Sequence, residues 1–257
     1  MRLRSSARRV GAVSSDRGTT HDVIFEGDIT LAQPAKGYRF TSDAVLLATA
    51  AAERAPERFV DAGAGCGVVG IALCHLVPGA TGIALERDPE LAAFARVNAA
   101  AYGGRIRVRE GDLRQVTGEI EERFELVVMN PPYFPPGVGR LSPDAQRAAA
   151  RHQLYGEIKE LVSSLSSIVR PDGHLMFIYS APYADALLSA LTEVGFREVA
   201  LRRVHSRASA DARVVVVDAC RSKVERRSIR PPWILYEEDG QPSSLLLRIV
   251  QSRQKGA

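Results

Sequence analysis

The regular alternation of apolar strand candidates with helical stretches after Pro56 constrains the fold more than any other feature of this chain. The segments between the early strand candidates are long enough for helices that cross from one strand to the next. Such alternation predicts right-handed βαβ units and a parallel sheet with helices on both faces. The strand candidates are Arg58–Ala62, Thr81–Glu86, Arg105–Arg109, Phe124–Asn130, Gly173–Tyr179, Glu198–His205 and Arg213–Ala219.

Only Ser206–Ala212 separate the last two strand candidates. A segment this short cannot form a helical crossover, so these two strands are expected to pair as an antiparallel hairpin. We therefore predict an α/β fold: a doubly wound, seven-stranded, mostly parallel sheet with one antiparallel strand, of the Rossmann-like type.

Changes in composition divide the chain into four predicted parts. Residues 1–20 hold five arginines and one aspartate, which equals the formal net charge of +4 of the whole chain, and they are predicted to be a disordered basic arm. Residues 21–56 predict a hairpin and then a helix capped by Thr41 or Ser42. Residues 57–220 form the main domain, and residues 221–257 are a carboxyl-terminal extension expected to pack on the sheet or its edge.

The chain has no apolar run near the ~20 residues that cross a bilayer, and no apolar segment follows its basic start as in a secretory signal. Its cysteines, Cys66, Cys74 and Cys220, have no metal-ligand spacing and are typical of buried thiols in a reducing compartment. We expect a cytoplasmic monomer with no metal and no membrane partner. Clusters of arginine in the last third fit an anionic partner such as nucleic acid, although charge runs are also common on solvated faces.

A glycine-rich turn follows the first strand of the main domain, with the sequence Asp61-Ala62-Gly63-Ala64-Gly65-Cys66-Gly67. Glycine suits a turn at which the backbone approaches a ligand closely. The turn departs from the dinucleotide fingerprint, because Val68 stands where a third glycine or alanine is required. The carboxylate of Asp61 would repel a pyrophosphate, but it suits a cationic or zwitterionic ligand.

Two further carboxylates lie at the ends of the next two strand candidates: Glu86 closes one, and Asp112 follows the other. Glu86 is placed to bind ribose hydroxyls, and Asp112 is placed to accept a hydrogen bond from an adenine amino group. A nucleoside that carries a positive charge satisfies these positions together with Asp61. The obvious candidate is S-adenosylmethionine.

The sequence Asn130-Pro131-Pro132-Tyr133 follows the buried strand candidate Leu126–Met129. The prolines restrict the backbone and remove two donors, leaving the Pro131 carbonyl and the Asn130 side-chain oxygen as acceptors. Tyr133 offers a face for stacking a planar base or amide. Two acceptors that hold both N–H bonds of a planar amine would aim its lone pair at a methyl donor, so this set predicts N-methylation.

Together these motifs resemble class I S-adenosylmethionine-dependent methyltransferases of the N-P-P-Y type. The segment Gly37–Ala48 is further similar to the start of the bacterial tRNA1(Val) (adenine-37-N6)-methyltransferases, and Ala150-Arg151-His152 also fits that family. The resemblance implies methylation of adenine N6 in tRNA. It further implies cofactor contacts at Asp61, Gly63, Gly65, Glu86, Asp112, Leu113, Phe40 and Thr41, catalysis by Asn130, Pro131, Pro132 and Tyr133, and RNA contacts at Tyr133, Arg151 and His152. Asp43 is either part of the cover over the cofactor or an ordinary first-turn helix residue.

Three alternatives stay open at this point. The same N-P-P-Y motif occurs in protein-glutamine N5-methyltransferases, which normally carry a helical amino-terminal domain, and in rRNA guanine-N2 methyltransferases. A non-catalytic RNA-binding module that kept the fold is a third possibility. The intact set of acceptors at Asn130 and Pro131 argues against this module, because binding alone does not require them.

Overall fold

The computed structural model describes residues 18–37, 39–131 and 157–250. A small hairpin precedes one large mixed sheet with helices on both faces. In chain order the elements are β1 (Thr19–Ile24), β2 (Ile29–Pro34), α1 (Ser42–Ala52), β3 (Arg58–Ala62), α2 (Val68–Leu76), β4 (Thr81–Glu86), α3 (Pro89–Ala100), β5 (Ile106–Glu110), α4 (Leu113–Val116), β6 (Phe124–Met129), α5 (described part, residues 157–166), β7 (Val169–Ser180), α6 (Ala184–Glu193), β8 (Glu198–His205), β9 (Ala212–Cys220), β10 (Arg226–Ile229), β11 (Trp233–Ile234) and α7 (Ser244–Val250).

The strand order in the large sheet is β10-β8-β9-β7-β6-β3-β4-β5, and β11 also pairs with β8. Neighbouring strands are parallel except at β9, which is antiparallel to both β7 and β8. The predicted mostly parallel sheet with one antiparallel strand is therefore confirmed. The carboxyl-terminal extension adds β10 and β11, both parallel to β8, at the edge of the seven predicted strands.

Two apolar cores lie on opposite faces of the sheet, because successive strand residues point to opposite sides. Along β6, Val128 belongs to the core under α1, α2, α3 and α7, whereas Val127 and Met129 belong to the core under α5 and α6. The hairpin packs on the first of these faces, and α7 contacts both the hairpin turn and α1. No helix within the described ranges is long and apolar enough to cross a membrane.

Most predicted strand ends lie within one residue of the observed ones, and the largest difference is at the start of β7. Apolar residues recur at helical spacing from Leu154 to Val169 and predict a helix over that range. The described part of this helix ends at residue 166, and β7 begins at Val169 instead of Gly173. Val169 pairs with Phe124 of β6, and the pairing of the two strands shifts register between Phe124 and Leu126. At Gly173 a side-chain carbon would come within 2.8 Å of the Phe124 carbonyl oxygen. The apolar period continued past the helix because Ile168 and Val169 enter the same core.

The predicted amino-terminal arm lies mostly outside the described residues, which begin at Gly18. Its last two positions were predicted to be disordered, and this was wrong, because Thr19 and Thr20 pair with Pro34 and Gln33 in the hairpin. Thr-rich segments are favourable in strands, and the pairing partner was not visible from composition.

Candidate functional site

The carboxyl ends of four neighbouring parallel strands bring most of the predicted cofactor residues to one edge of the sheet. Ala62, the last residue of β3, is level with Leu85 of β4 and Met129 of β6, and Glu86 is level with Glu110 of β5. The glycine turn and Asn130 directly follow β3 and β6, Glu86 is the last residue of β4, and Asp112 is two residues past the end of β5. Ligands of doubly wound sheets bind in the crevice beyond such an edge.

The backbone of the glycine turn adopts a conformation that would be strained in residues with a side chain. Gly63, Gly65 and Gly67 all have positive φ, at 70°, 57° and 85°, a region that glycine enters without steric cost. The amides of Gly63 and Ala64 both donate to the Leu85 carbonyl at 2.9 Å, which ties the turn to β4. At Gly67 a side-chain carbon would also meet Ala95 of α3 at 3.4 Å, so the third glycine permits close packing of α2 on α3.

Glu86 connects this turn to the start of α3. Its buried carboxylate accepts from the Gly65 amide through Oε2 and from the Asp88 amide through Oε1, each at 2.8 Å. Each carboxylate oxygen has a second lone pair, so these bonds leave acceptor capacity for ribose hydroxyls. The sequence predicted only a ligand contact, whereas the structure adds that Glu86 holds the turn in shape.

Asp61 is 1% exposed and accepts from the Gly70 amide at 2.8 Å through Oδ2. Burial raises the pKa of this carboxyl to about 7, the Gly70 hydrogen bond acts in the opposite direction, and the nearby Glu86 charge raises the pKa further. A site with two acidic groups and one raised pKa favours a positively charged ligand.

Asp112 caps α4 at the same edge. Its Oδ1 accepts from the Arg114 amide at 2.9 Å and lies 3.3 Å from the Arg114 Nε. The hydrogen bond from the Arg114 amide is the main reason that the pKa of Asp112 is lowered, and the carboxylate is partly exposed. Leu113, the next residue, is buried at the start of α4. The structure thus accounts for Asp112 as a helix cap, and its adenine contact remains a prediction.

Phe40 and Thr41 lie at the amino-terminal end of α1. The Thr41 hydroxyl accepts from the Asp43 amide at 3.4 Å and caps the helix. The Phe40 amide donates to the side chain of Gln33 at 3.2 Å, and the Phe40 ring packs against the first core. Asp43 is a first-turn residue, but its buried carboxylate forms an ion pair with Arg213 of β9.

Asn130 is partly buried immediately after β6, and Pro131 is buried. The two predicted acceptors of the target amine are therefore at the same edge as the glycine turn. Pro132, Tyr133, Arg151 and His152 lie outside the described residues, so their predicted roles remain predictions.

A buried ionic cluster around Asp218 of β9 was not predicted. His174 Nδ1 lies 2.8 Å from Asp218 Oδ1, Arg54 Nε lies 2.9 Å from Oδ2, and Arg230 of the extension lies 3.4 Å from Oδ2. One signal was available in the sequence. Asp218 directly follows the apolar run Val214–Val217, and a carboxylate within a buried strand needs charged partners.

A cavity of about 420 Å³ lies away from this edge, where α2 and α3 end against the hairpin turn. His75 and Arg105 contribute to its wall, and His75 Nε2 is 3.7 Å from Asp28. Because α2 begins at the glycine turn, its far end belongs to the opposite edge of the sheet. Within the described residues, no cluster of three or more His, Cys, Asp or Glu side chains could hold a metal ion.

Known proteins with similar sequences are methyltransferases. A tRNA1(Val) (adenine(37)-N6)-methyltransferase of Porphyromonas gingivalis is 34% identical over 176 residues, covering 61% of this chain and 68% of the relative. A release factor glutamine methyltransferase of Geobacter sulfurreducens is 29% identical over 163 residues, covering 60% of this chain and 57% of the relative.

Solved structures with the same fold include a predicted O-methyltransferase of Agrobacterium tumefaciens, with a TM-score of 0.64 and 26% identity, covering 82% of this chain and 99% of that one. A tRNA (uracil-54, C5)-methyltransferase of Pyrococcus abyssi in complex with S-adenosyl-L-homocysteine has a TM-score of 0.54 and 16% identity, covering 83% of this chain and 49% of that one. The family model of the methyltransferase small domain matches residues 40–194. This match covers more than half of the sequence, and the chain therefore belongs to the methyltransferase small domain family and is a methyltransferase of the class I fold.

Proposed function

We propose that this protein transfers a methyl group from S-adenosylmethionine to the exocyclic N6 amine of an adenine in tRNA. One observation carries the proposal: the glycine turn, Glu86 and the Asn130-Pro131 pair lie at the carboxyl ends of neighbouring strands at one edge of the sheet. Family membership implies S-adenosylmethionine as the methyl donor. The tRNA target is supported by the similarity to a relative named for adenine-N6 methylation of tRNA1(Val), and we expect the enzyme to act in the cytoplasm.

The residues at this edge fit S-adenosylmethionine, which supplies an electrophilic methyl group on a positively charged sulfonium. Burial, together with the nearby Glu86 charge, raises the pKa of the Asp61 carboxyl, so a bound cation would stabilise its ionised form. Glu86 is held rigidly by two backbone amides and retains lone pairs for ribose hydroxyls. Asp112 and Leu113 stand beside Glu86, since the Gly111 amide donates to the Glu86 carbonyl at 3.0 Å.

Asn130 and Pro131 would act on the target amine. The lone pair of an adenine amine is conjugated with the ring, so the free amine is a poor nucleophile. The side-chain oxygen of Asn130 would accept one N–H and the Pro131 carbonyl the other, which favours a pyramidal nitrogen and stabilises the positive charge that develops on it. The amine proton becomes acidic as the new N–C bond forms, and no strong general base is required. Tyr133 is expected to hold the extruded base flat by stacking.

The substrate class can be tested with methyl-labelled S-adenosylmethionine and separate pools of tRNA, ribosomal RNA and glutamine-containing peptide. Digestion of the labelled product is expected to yield N6-methyladenosine from tRNA. Label in N5-methylglutamine or in N2-methylguanosine would overturn the tRNA assignment and support one of the two related reactions. An absence of transfer to every pool, with the cofactor bound, would support a non-catalytic RNA-binding role.

The catalytic assignment is tested by Asn130→Ala. Because this variant removes an acceptor that acts mainly in the transition state, single-turnover transfer is expected to fall about 100-fold, comparable to the loss of one oxyanion-hole donor, with cofactor affinity unchanged. Tyr133→Phe keeps the stacking face and is expected to cost much less than Tyr133→Ala. A wild-type rate in Asn130→Ala would show that the Asn-Pro-Pro turn is only a feature of the fold.

A further inference from the structure

Helix α1 is joined to β9 by two ion pairs, one near each of its ends. At its start, Arg213 Nη1 lies 3.1 Å from Asp43 Oδ2, and Arg213 Nη2 contacts Oδ1, so the pair is bidentate. Just past its end, Arg54 Nε lies 2.9 Å from Asp218 Oδ2. Both pairs connect residues far apart in sequence, and they orient the helix along the strand.

The two ion pairs differ in their distance from the edge of the sheet where the parallel strands end and the glycine turn lies. Asp218 is level with Met176 inside β7, whereas Arg213 directly precedes Val214, which is level with Ser180 at the carboxyl end of β7. β7 extends past Phe177, the residue level with Met129 at the end of β6. The Asp43 end of α1 therefore projects over the edge at which the glycine turn and Asn130 lie.

The distances agree with this arrangement. The backbones of Arg213 and Asp218 are about 16 Å apart along an extended strand, and the 11 residues of α1 span about 16 Å as a helix. The helix therefore runs antiparallel to the parallel strands, with its first turn toward the edge.

The segment that precedes α1 is fastened at this end. Thr41 caps the helix, the Phe40 amide donates to the buried side chain of Gln33, and Arg39 Nη2 lies 2.7 Å from Asp22 of the hairpin. The segment is thus attached to the hairpin on one side and to α1 on the other. Its position over the edge depends on where the first turn of α1 is held.

The two partners of the Asp43–Arg213 ion pair differ in how far they are buried. Asp43 is 1% exposed, whereas the Arg213 side chain is 48% exposed, so the arginine brings its charge from the surface to a buried carboxylate. Without Arg213, the positive end of the α1 dipole still partly stabilises Asp43. Loss of Arg213 should therefore leave α1 folded but allow its first turn to shift.

We propose that Arg213 is a positioning residue: by its bidentate pair with Asp43 it holds the first turn of α1, and with it Phe40 and Thr41, over the cofactor-binding edge. This inference rests on the proposed function, because it takes the cofactor to be bound at that edge. Arg213 acts through Asp43 and contacts neither the cofactor nor the target amine.

The test compares Arg213→Gln with Arg54→Gln, a matched change at the other end of the same helix. Calorimetric titration with S-adenosylmethionine is expected to show about a tenfold weaker Kd for Arg213→Gln, since small displacements at a site have effects of this size or larger. Arg54→Gln is expected to lower the Tm with the Kd within twofold of wild type. Arg213→Lys keeps the charge without the bidentate geometry and is expected to restore only part of the affinity.

Two further readouts separate positioning from general stability and from direct contact. Hydrogen exchange is expected to accelerate at the amides of residues 39–44 in Arg213→Gln, and not in Arg54→Gln. Asp43→Asn is expected to weaken the Kd as much as Arg213→Gln does, and the double variant no further, because both single changes break the same ion pair.

The inference is overturned if Arg213→Gln binds the cofactor as tightly as wild type, if both arginine variants weaken binding equally, or if the Asp43 and Arg213 effects add. Additive effects would mean that Arg213 contacts a ligand directly. If the wild-type protein itself does not bind S-adenosylmethionine, the proposed function fails, whereas hydrogen exchange still decides whether Arg213 holds the first turn of α1.

Discussion

Two buried aspartates, Asp61 of β3 and Asp218 of β9, lie in the same row of the sheet with one residue each of β6 and β7 between them. Both contact the helical face that carries α1 and α2. Asp61 accepts from the Gly70 amide, and burial raises its pKa to about 7. Burial also acts to raise the pKa of Asp218, but hydrogen bonds from His174 and Arg54 outweigh it and lower the pKa.

This difference in pKa distinguishes Asp218, a structural carboxylate, from Asp61, which is expected to bind a ligand. The charge of Asp218 is balanced within the protein by Arg54 and Arg230, and its carboxylate also hydrogen-bonds to His174. These contacts join the end of α1, β7, β9 and the carboxyl-terminal extension. At Asp61, the neighbouring charge that bears on its pKa is a second carboxylate, Glu86. A buried acidic pair that the described residues leave electrostatically unbalanced is typical of a site that receives a cation.

The largest effect is expected on the free energy of unfolding, from removing the charge of Asp218. Asp218→Asn leaves His174, Arg54 and Arg230 without their shared carboxylate and is expected to destabilise the protein by about 3 kcal/mol, at the low end for a broken buried pair because Arg54 and Arg230 stay partly hydrated. Urea unfolding measures the loss, and cofactor affinity of the folded variant should match wild type. A loss below about 1 kcal/mol would mean that desolvation offsets the ion pairs.

A smaller effect, of a different kind, is expected at Asp61. Asp61→Asn can still accept from the Gly70 amide, but it removes the charge that attracts a cationic cofactor. Affinity for S-adenosylmethionine is expected to fall by about 1.5–3 kcal/mol, the usual range for hydrogen bonds to charged groups, and the free energy of unfolding at pH 8 should not fall. If Asp61→Asn instead destabilised the protein as Asp218→Asn does, the distinction between the two aspartates would be lost.

Much of the sheet could be predicted because burial leaves a pattern in the sequence. The bounds of β3, β4 and β8 agree with the predicted strands, since each has several apolar residues and is bounded by turns. β10 was not predicted because all four of its residues are exposed, so its sequence Arg-Arg-Ser-Ile carries no apolar alternation. It is a strand because it pairs with β8, and such pairing is a long-range property.

The candidate site was predictable to the extent that its residues follow strand ends. Glu86 and Asn130 are placed by the parallel topology alone, and the structure brings them to one edge. The pairing of Asp43 with Arg213 was not predictable, because a periodic pattern reports which residues are buried and not which distant charge meets them. For the same reason, the hydrogen bonds that Glu86 accepts from the Gly65 and Asp88 amides could not be predicted.

The pH dependence of cofactor binding tests the role of Asp61 most directly. Its pKa in the folded protein is raised to about 7, so the carboxyl is largely neutral at pH 6 and largely ionised at pH 8. A cation binds the ionised form, and affinity for S-adenosylmethionine should therefore rise through this window, by up to about tenfold per pH unit below the pKa, and level off above it. Asp61→Asn provides the control, because it retains any titration of the cofactor itself and removes that of Asp61. Calorimetry from pH 6 to pH 8 is expected to show a steeper rise for wild type than for the variant, and identical pH profiles would contradict the assignment of Asp61 as the unbalanced charge that receives the cofactor.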